Sequence, residues 1–236
     1  MKKLIIASTS TVHGSQPLEY LLPALSDHFK EVQELLFIPY ARPSGISYDD
    51  YTSKVQKAFD NIQIKVKGIH EFDDAQQAIL DAQGVFTGGG NTFELVNQLY
   101  QNDVLRVLRE AIKKGTPYLG TSAGSNICGV TMMNTNDMPI VYPPSFDTLA
   151  MIPFNINAHY LDPDPSSTHM GETRETRIKE FHVFNTTPVL GLREGSWLEV
   201  QGEQITLRGS LKARLFRQNQ DPVELESGSE VRNFLS

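Results

Sequence analysis

Short apolar runs rich in β-branched residues alternate with longer amphipathic stretches through the first two-thirds of the chain, the pattern of βα units laid on a parallel sheet. The strands expected from it cover residues 4–8, 35–39, 62–68, 85–87 and 118–121. Helices are expected between them at residues 18–29, 48–59, 75–82, 92–99 and 104–114. Pro23 falls inside the first helix, where it should kink the helix or end its first turn. The run Lys113-Lys114-Gly115-Thr116-Pro117 is a helix stop, with cations at the negative helix end, a terminating glycine and then proline. Beyond it, residues 116–121 read as a central, fully buried strand.

The second part of the chain is organised differently. Residues 129–168 hold prolines at 139, 143, 144, 153, 163 and 165, so this stretch is expected to be loop-rich and to build a site rather than link domains. A helix is expected over residues 172–184, followed by short strands at 189–192, 197–200, 204–207 and 214–217. The Gly-Glu turns between these strands suggest antiparallel hairpins. No repeat, low-complexity tract or composition break divides the chain, so residues 1–236 are expected to form one domain.

Composition narrows the partners. The 236 residues carry 21 Lys and Arg against 28 Asp and Glu, a net charge of −7, with 39% hydrophobic residues, as expected of a globular chain. An acidic chain without a basic tract lacks the footprint that phosphate-backbone binding requires, so nucleic acid is not an expected partner. No segment reaches membrane-spanning length, and the run Leu4-Ile5-Ile6-Ala7 is too short for the apolar core of a signal peptide. The single cysteine, Cys128, cannot close an intramolecular disulfide and argues for a reducing, cytoplasmic setting.

The sharpest chemical signal is Gly120-Thr121-Ser122-Ala123-Gly124, a G-x-S-x-G between a buried strand and a short helix. Two glycines let the backbone turn sharply around a serine whose hydroxyl projects above the carboxyl edge of the sheet; a plain helix cap accounts for the same residues equally well. A nucleophilic serine needs a base, and the base needs an orienting acid. Of the six histidines, His28 and His182 fall in expected helices and His70 lies beside Glu71, Asp73 and Asp74, so these three read as surface residues. His159 ends the alternating run Asn155-Ile156-Asn157-Ala158, a strand end suited to a site. Asp137 lies between serine and histidine in sequence, although a loop aspartate among polar turn formers also reads as an Asx turn. The order Ser122, Asp137, His159 is that of α/β-hydrolases, but only 15 residues separate serine from aspartate. That fold interposes whole crossover units of ~30 residues, and is therefore disfavoured. A second cluster, Gly88-Gly89-Gly90-Asn91-Thr92, follows a strand and opens a helix; it lacks the third dinucleotide-loop glycine and any Gly-Lys-Ser/Thr. Its N–H groups would suit a transient oxyanion as well as a phosphate.

Five blocks together resemble one family. Gly88-Gly89-Gly90-Asn91-Thr92-Phe93, Gly120-Thr121-Ser122-Ala123-Gly124, Thr135-Asn136-Asp137-Met138-Pro139-Ile140, Asn155-Ile156-Asn157-Ala158-His159 and Gly171-Glu172-Thr173-Arg174-Glu175-Thr176-Arg177 look like the peptidase E group of serine peptidases, the α-aspartyl dipeptidases. The resemblance implies a three-layer α/β sandwich with a mostly parallel central sheet, related to class I glutamine amidotransferases, with antiparallel strands near the C-terminus. It implies Ser122 as nucleophile, His159 as base and Asp137 as orienting acid, with Glu194 as the alternative acid. It also implies an oxyanion hole from the N–H groups of Gly89 and Ala123, and hydrolysis of Asp-X dipeptides without metal or cofactor by a monomer or homodimer.

Substrate charge supplies a separate argument. An acidic protein that binds an aspartyl side chain needs a local cation, and Arg174 and Arg177 stand three residues apart on one helical face. Without the resemblance, Glu172, Glu175 and Arg177 would read as a solvated charged face. Rival readings are a cyanophycinase-like peptidase on the same scaffold and a non-catalytic small-molecule-binding module. A glutamine amidotransferase is disfavoured, because residue 122 is serine and Cys128 lies six residues away.

Overall fold

The computed structural model describes residues 1–163, 166, 168 and 171–235. His169, and Asp164, Pro165 and Ser167 of the proline-rich stretch, lie outside the described residues. The alternating pattern yields strands β1 (Lys3–Ala7), β2 (Glu34–Ile38), β3 (Lys65–Gly68), β4 (Val85–Thr87) and β5 (Tyr118–Thr121). Between them run α1 (Leu22–His28), α2 (Tyr48–Phe59), α3 (Ala75–Asp81), α4 (Thr92–Gln101) and α5 (Leu105–Lys114). The strands lie parallel in the order β3-β2-β4-β5-β1. Successive strand residues face opposite sides. Leu36 and Ile38 therefore join Leu95, Leu99 and Leu108 on one face, while Leu35 and Phe37 join Leu25, Val55 and Phe59 on the other. With helices on both faces, the inner strands need not alternate apolar with polar residues, which is why they read as near-continuous apolar runs, whereas edge strand β3 alternates lysine with valine.

Two local expectations shift. The strand expected from residue 62 begins at Lys65, because Asp60–Ile62 forms a 3-10 turn and Gln63 turns left-handed at φ 58°. The helix expected over 18–29 splits into a 3-10 turn, Glu19–Leu21, and α1, with Pro23 in the first turn of α1, where its missing N–H is no loss. The stop after α5 is as expected, with Gly115 at φ 115°.

After β5 come α6 (Ala123–Asn126) and a long irregular loop, then β6 (Asn155–Ala158), α7 (Arg174–Phe184), β7 (Val189–Leu192), β8 (Ser196–Gln201), β9 (Gln204–Gly209), β10 (Ala213–Phe216) and β11 (Val223–Leu225). Only one of the expected hairpins forms. The turn at Gly202-Glu203 joins β8 and β9, which extend the central sheet antiparallel past β1. The other strands make a second sheet ordered β11-β10-β7-β6, in which β11 was not expected and β6 runs parallel to β7. Glu194-Gly195 is therefore a crossing from the second sheet to the first, not a hairpin turn. One apolar cluster joins the sheets, with Leu4, Ile6 and Leu198 packed with Ile156, Leu190 and Leu215. Among the described residues no helix is long and apolar enough to cross a membrane.

His28 and His182 are buried rather than at the surface. His28 lies on the inner side of α1 and donates from Nε2 to the Tyr118 carbonyl at 3.2 Å. Burial pushes its imidazole down to about 4. The unfolded chain protonates this residue near pH 6.5 and the folded chain resists, so its contribution to stability is intact above about pH 6.5 and lost as pH falls toward 4, on the order of 3 kcal/mol in all. Denaturant unfolding between pH 7.5 and 4.5 should show His28→Gln less stable than wild type at the upper end but flatter across the range. A variant profile as steep as the wild type's would remove His28 from the account.

Candidate active site

The G-x-S-x-G turn forms because its glycines admit backbone where a side chain could not fit. A methyl group on Gly120 would meet the Gly124 carbonyl oxygen at 2.4 Å, and one on Gly124 the Thr87 carbonyl oxygen at 2.1 Å. Between them Ser122 adopts φ 54°, ψ −113°, a conformation that costs a non-glycine residue on the order of 1–3 kcal/mol. The turn is held by Ser122 N donating to the Ala7 carbonyl at 3.2 Å and by Ser125 Oγ donating to the carbonyls of Ala7 and Gly120 at 2.6 and 2.8 Å. The hydroxyl of Ser122 caps no helix. It donates to His159 Nε2 at 2.8 Å.

His159 follows β6 in a left-handed conformation, φ 55°, which swings its ring away from the strand line. Its N–H donates to Ser8 Oγ at 2.9 Å, and that hydroxyl donates to the Leu192 carbonyl at 2.6 Å, so Ser8, the residue after β1, ties the end of β6 to the end of β7. Nδ1–H donates to Glu194 Oε1 at 2.6 Å. This bond assigns the tautomer, leaving Nε2 bare to accept from Ser122. The pairing of β6 with β7 puts Ala158 opposite Leu192, so His159 and Glu194 leave adjacent parallel strands at the same level.

Asp137 does not fill the place expected of it. Its Oδ2 accepts from Thr92 N at 2.7 Å, from Thr92 Oγ1, and from Thr135 Oγ1 at 3.2 Å. It makes no hydrogen bond to His159 among the described residues, and its carboxylate sits at the positive end of α4, where an anion is favoured. The acid against the imidazole is Glu194. Sequence reasoning also missed the asparagines that tie the Asp137 loop to the strand carrying His159. Asn136 Nδ2 donates to Asn157 Oδ1 at 3.0 Å, Asn157 Nδ2 to the Asn134 carbonyl at 2.9 Å, and Asn126 Nδ2 to Thr92 Oγ1 at 3.0 Å. A signal was present: Asn155 and Asn157 alternate in a run whose every member is buried, and buried amides need partners.

Gly89 adjoins the nucleophile. A methyl group on it would come 2.9 Å from Ser122 Cβ and 3.3 Å from Ser122 Oγ. Among the described residues the N–H groups of Gly89 and Ala123 have no acceptor. The Tyr51 hydroxyl donates to the Gly89 carbonyl at 3.1 Å and steadies the loop. The two arginines differ. Arg177 is exposed, with Nε 3.9 Å from Glu172 Oε2. Arg174 is half-buried and makes no ion pair among the described residues; burial and the like charge of Arg177 push its guanidinium down, and Asp137 opposes them.

Residues 4–208 match the model of peptidase family S51. A Streptomyces coelicolor relative named peptidase E is 47% identical over 98% of this chain and 94% of its own length. A Drosophila melanogaster relative named "Probable alpha-aspartyl dipeptidase" is 44% identical over 95% of this chain and 93% of its own. Among solved structures, a peptidase from an acI-B1 actinobacterium superposes with a TM-score of 0.73 over 97% of this chain and 96% of that one, at 13% identity, a likeness of fold alone. On the family match and these near full-length identities, the chain belongs to peptidase family S51.

Proposed function

We propose that this protein is a serine dipeptidase that hydrolyses Asp-X dipeptides through an acyl-enzyme on Ser122. The observation that carries the reading is the unbroken chain Ser122 Oγ, His159 ring, Glu194 carboxylate, with links of 2.8 and 2.6 Å. In it His159 Nε2 takes the serine proton as Oγ attacks the scissile carbonyl. Glu194 holds the imidazole and stabilises the imidazolium that forms. The oxyanion is received by the N–H groups of Gly89 and Ala123, which have no acceptor among the described residues and so stand available. His159 then returns the proton to the leaving amine, and water admitted in its place hydrolyses the aspartyl-enzyme by the same steps. Cys128 takes no part. It is buried, burial pushes its thiol up, and it suits a reducing, cytoplasmic setting.

The selectivity for aspartate rests on Arg174. A half-buried guanidinium that pairs with no carboxylate among the described residues gains most from a substrate that brings one, and Arg receives a carboxylate through two parallel hydrogen bonds. Names among the relatives support the same substrate class. Wild-type enzyme should cleave Asp-Leu about a hundredfold better in kcat/KM than Asn-Leu, which has the shape but not the charge. Arg174→Ala should lose that margin, chiefly through KM. A variant that still prefers Asp-Leu by the original margin would place the cation elsewhere, with Arg177 next to test.

A further inference from the structure

Beside the glycine loop lies a cavity of about 200 Å³ lined by Arg42, Ser44, Gly45, Ile46, Tyr51 and Lys54. Its two cations form no ion pair among the described residues, in a chain whose net charge is −7. Three contacts tie Arg42 to the catalytic loop. Its guanidinium carbon lies 5.4 Å from the centroid of the Tyr51 ring, a cation–π contact that fixes the side chain. The Tyr51 hydroxyl bonds the carbonyl of Gly89, the residue packed against Ser122. The carbonyl of Ala41, one residue before Arg42, accepts from Asn91 N at 2.8 Å. The Tyr51 hydroxyl also feels the arginine's charge, which counters the upward push of burial.

Arg42 and Arg174 are tied to the catalytic loops by separate routes, Arg42 through Tyr51 to Gly89 and Arg174 through Asp137. Tyr51 packs with the cluster under α1 and α2. Arg174 acts on Asp137, which binds the first turn of α4, and α4 packs against the other face. An Asp-X dipeptide has two carboxylates, one on each side of the scissile bond. Longer peptides and amides keep the first and lack the second at that distance. We infer that Arg42, backed by Lys54, is a second carboxylate subsite, which receives the C-terminal carboxylate of the dipeptide and restricts the enzyme to substrates of two residues. This subsite rests on the Asp-X reading of the Ser122 centre and names how the far end of that substrate is read.

The test compares Asp-Leu with Asp-Leu-amide, which differ only in the terminal charge, on wild type, Arg42→Gln and Arg42→Lys. Wild type should favour the free acid roughly tenfold or more in kcat/KM, mostly through KM, as befits one charge-assisted pair. Arg42→Gln should bring the ratio of the two substrates close to one, and Arg42→Lys should restore part of it. Tyr51→Phe, which loosens the loop without removing the charge, should lower both substrates alike and leave the ratio unchanged. A wild-type ratio near one, an Arg42→Gln ratio equal to the wild type's, or an Arg42→Gln enzyme that loses both substrates in equal proportion would each overturn the subsite while leaving the Asp-X reading standing. Wild-type enzyme that cleaves neither compound would overturn both together, so the two failures are distinguishable. Arg42 is exposed, and an unchanged thermal melt verifies that the variants fold.

Discussion

Ser122→Ala should leave less than about one per cent of wild-type turnover on Asp-Leu, and the fold intact. The substitution removes one hydroxyl from a turn set by Gly120 and Gly124, and alanine tolerates φ 54° no worse than serine does. Nothing in the core is emptied, so the thermal melt should stay within the usual spread of a surface change. A fluorophosphonate probe gives a second reading of the same atom. It should label the wild type and fail on the variant. Turnover well above one per cent, with contaminating peptidase excluded, would take the nucleophile's role from Ser122. Wild-type protein that resists a probe which labels a control hydrolase would favour a binding module on this scaffold.

The second large effect separates two carboxylates. Glu194→Gln should lower kcat on the order of 10³–10⁴-fold, the scale of losing the acid that sets the tautomer in a triad. A glutamine of the same shape can still touch Nδ1 but no longer stabilises the imidazolium. Asp137→Asn should act differently. It weakens a carboxylate that accepts from Thr92 and Thr135 at the start of α4, at a cost of about 1–2 kcal/mol in stability, with a much smaller loss of kcat. Measuring kcat and the denaturation midpoint for both variants gives four numbers with opposed expectations. A larger kcat loss in Asp137→Asn than in Glu194→Gln would return the orienting role to Asp137 and make the 2.6 Å contact of His159 with Glu194 incidental.

The two acids show how far a sequence can be read. Both lie near polar turn formers, and it is the family resemblance, through the more distinctive block Thr135-Asn136-Asp137-Met138-Pro139-Ile140, that puts Asp137 first. What decides between them is the pairing of β6 with β7, which sets Ala158 opposite Leu192. His159 and Glu194 lie 35 residues apart in sequence, and only that register brings them to one level. A six-residue block carries no information about such a register. The same holds for Arg174, whose half-burial distinguishes it from exposed Arg177 although both occupy one helical face in sequence.

The sequence by itself determined whatever depends on neighbours along the chain. Apolar runs buried on both faces dictated the inner parallel strands β1, β2, β4 and β5, Lys113-Lys114-Gly115 ended α5, and the glycines at 120 and 124 forced the turn that presents Ser122. These follow from steric limits on the backbone and from the removal of apolar surface from water, which act over a few residues. Only the tertiary structure decided which sheet each C-terminal strand joins, that Glu194 spans the two sheets, and that Asp137 serves the first turn of α4. Those placements depend on contacts between residues far apart in sequence, where the choice among competing pairings is made by packing of the whole core rather than by the preference of any one segment.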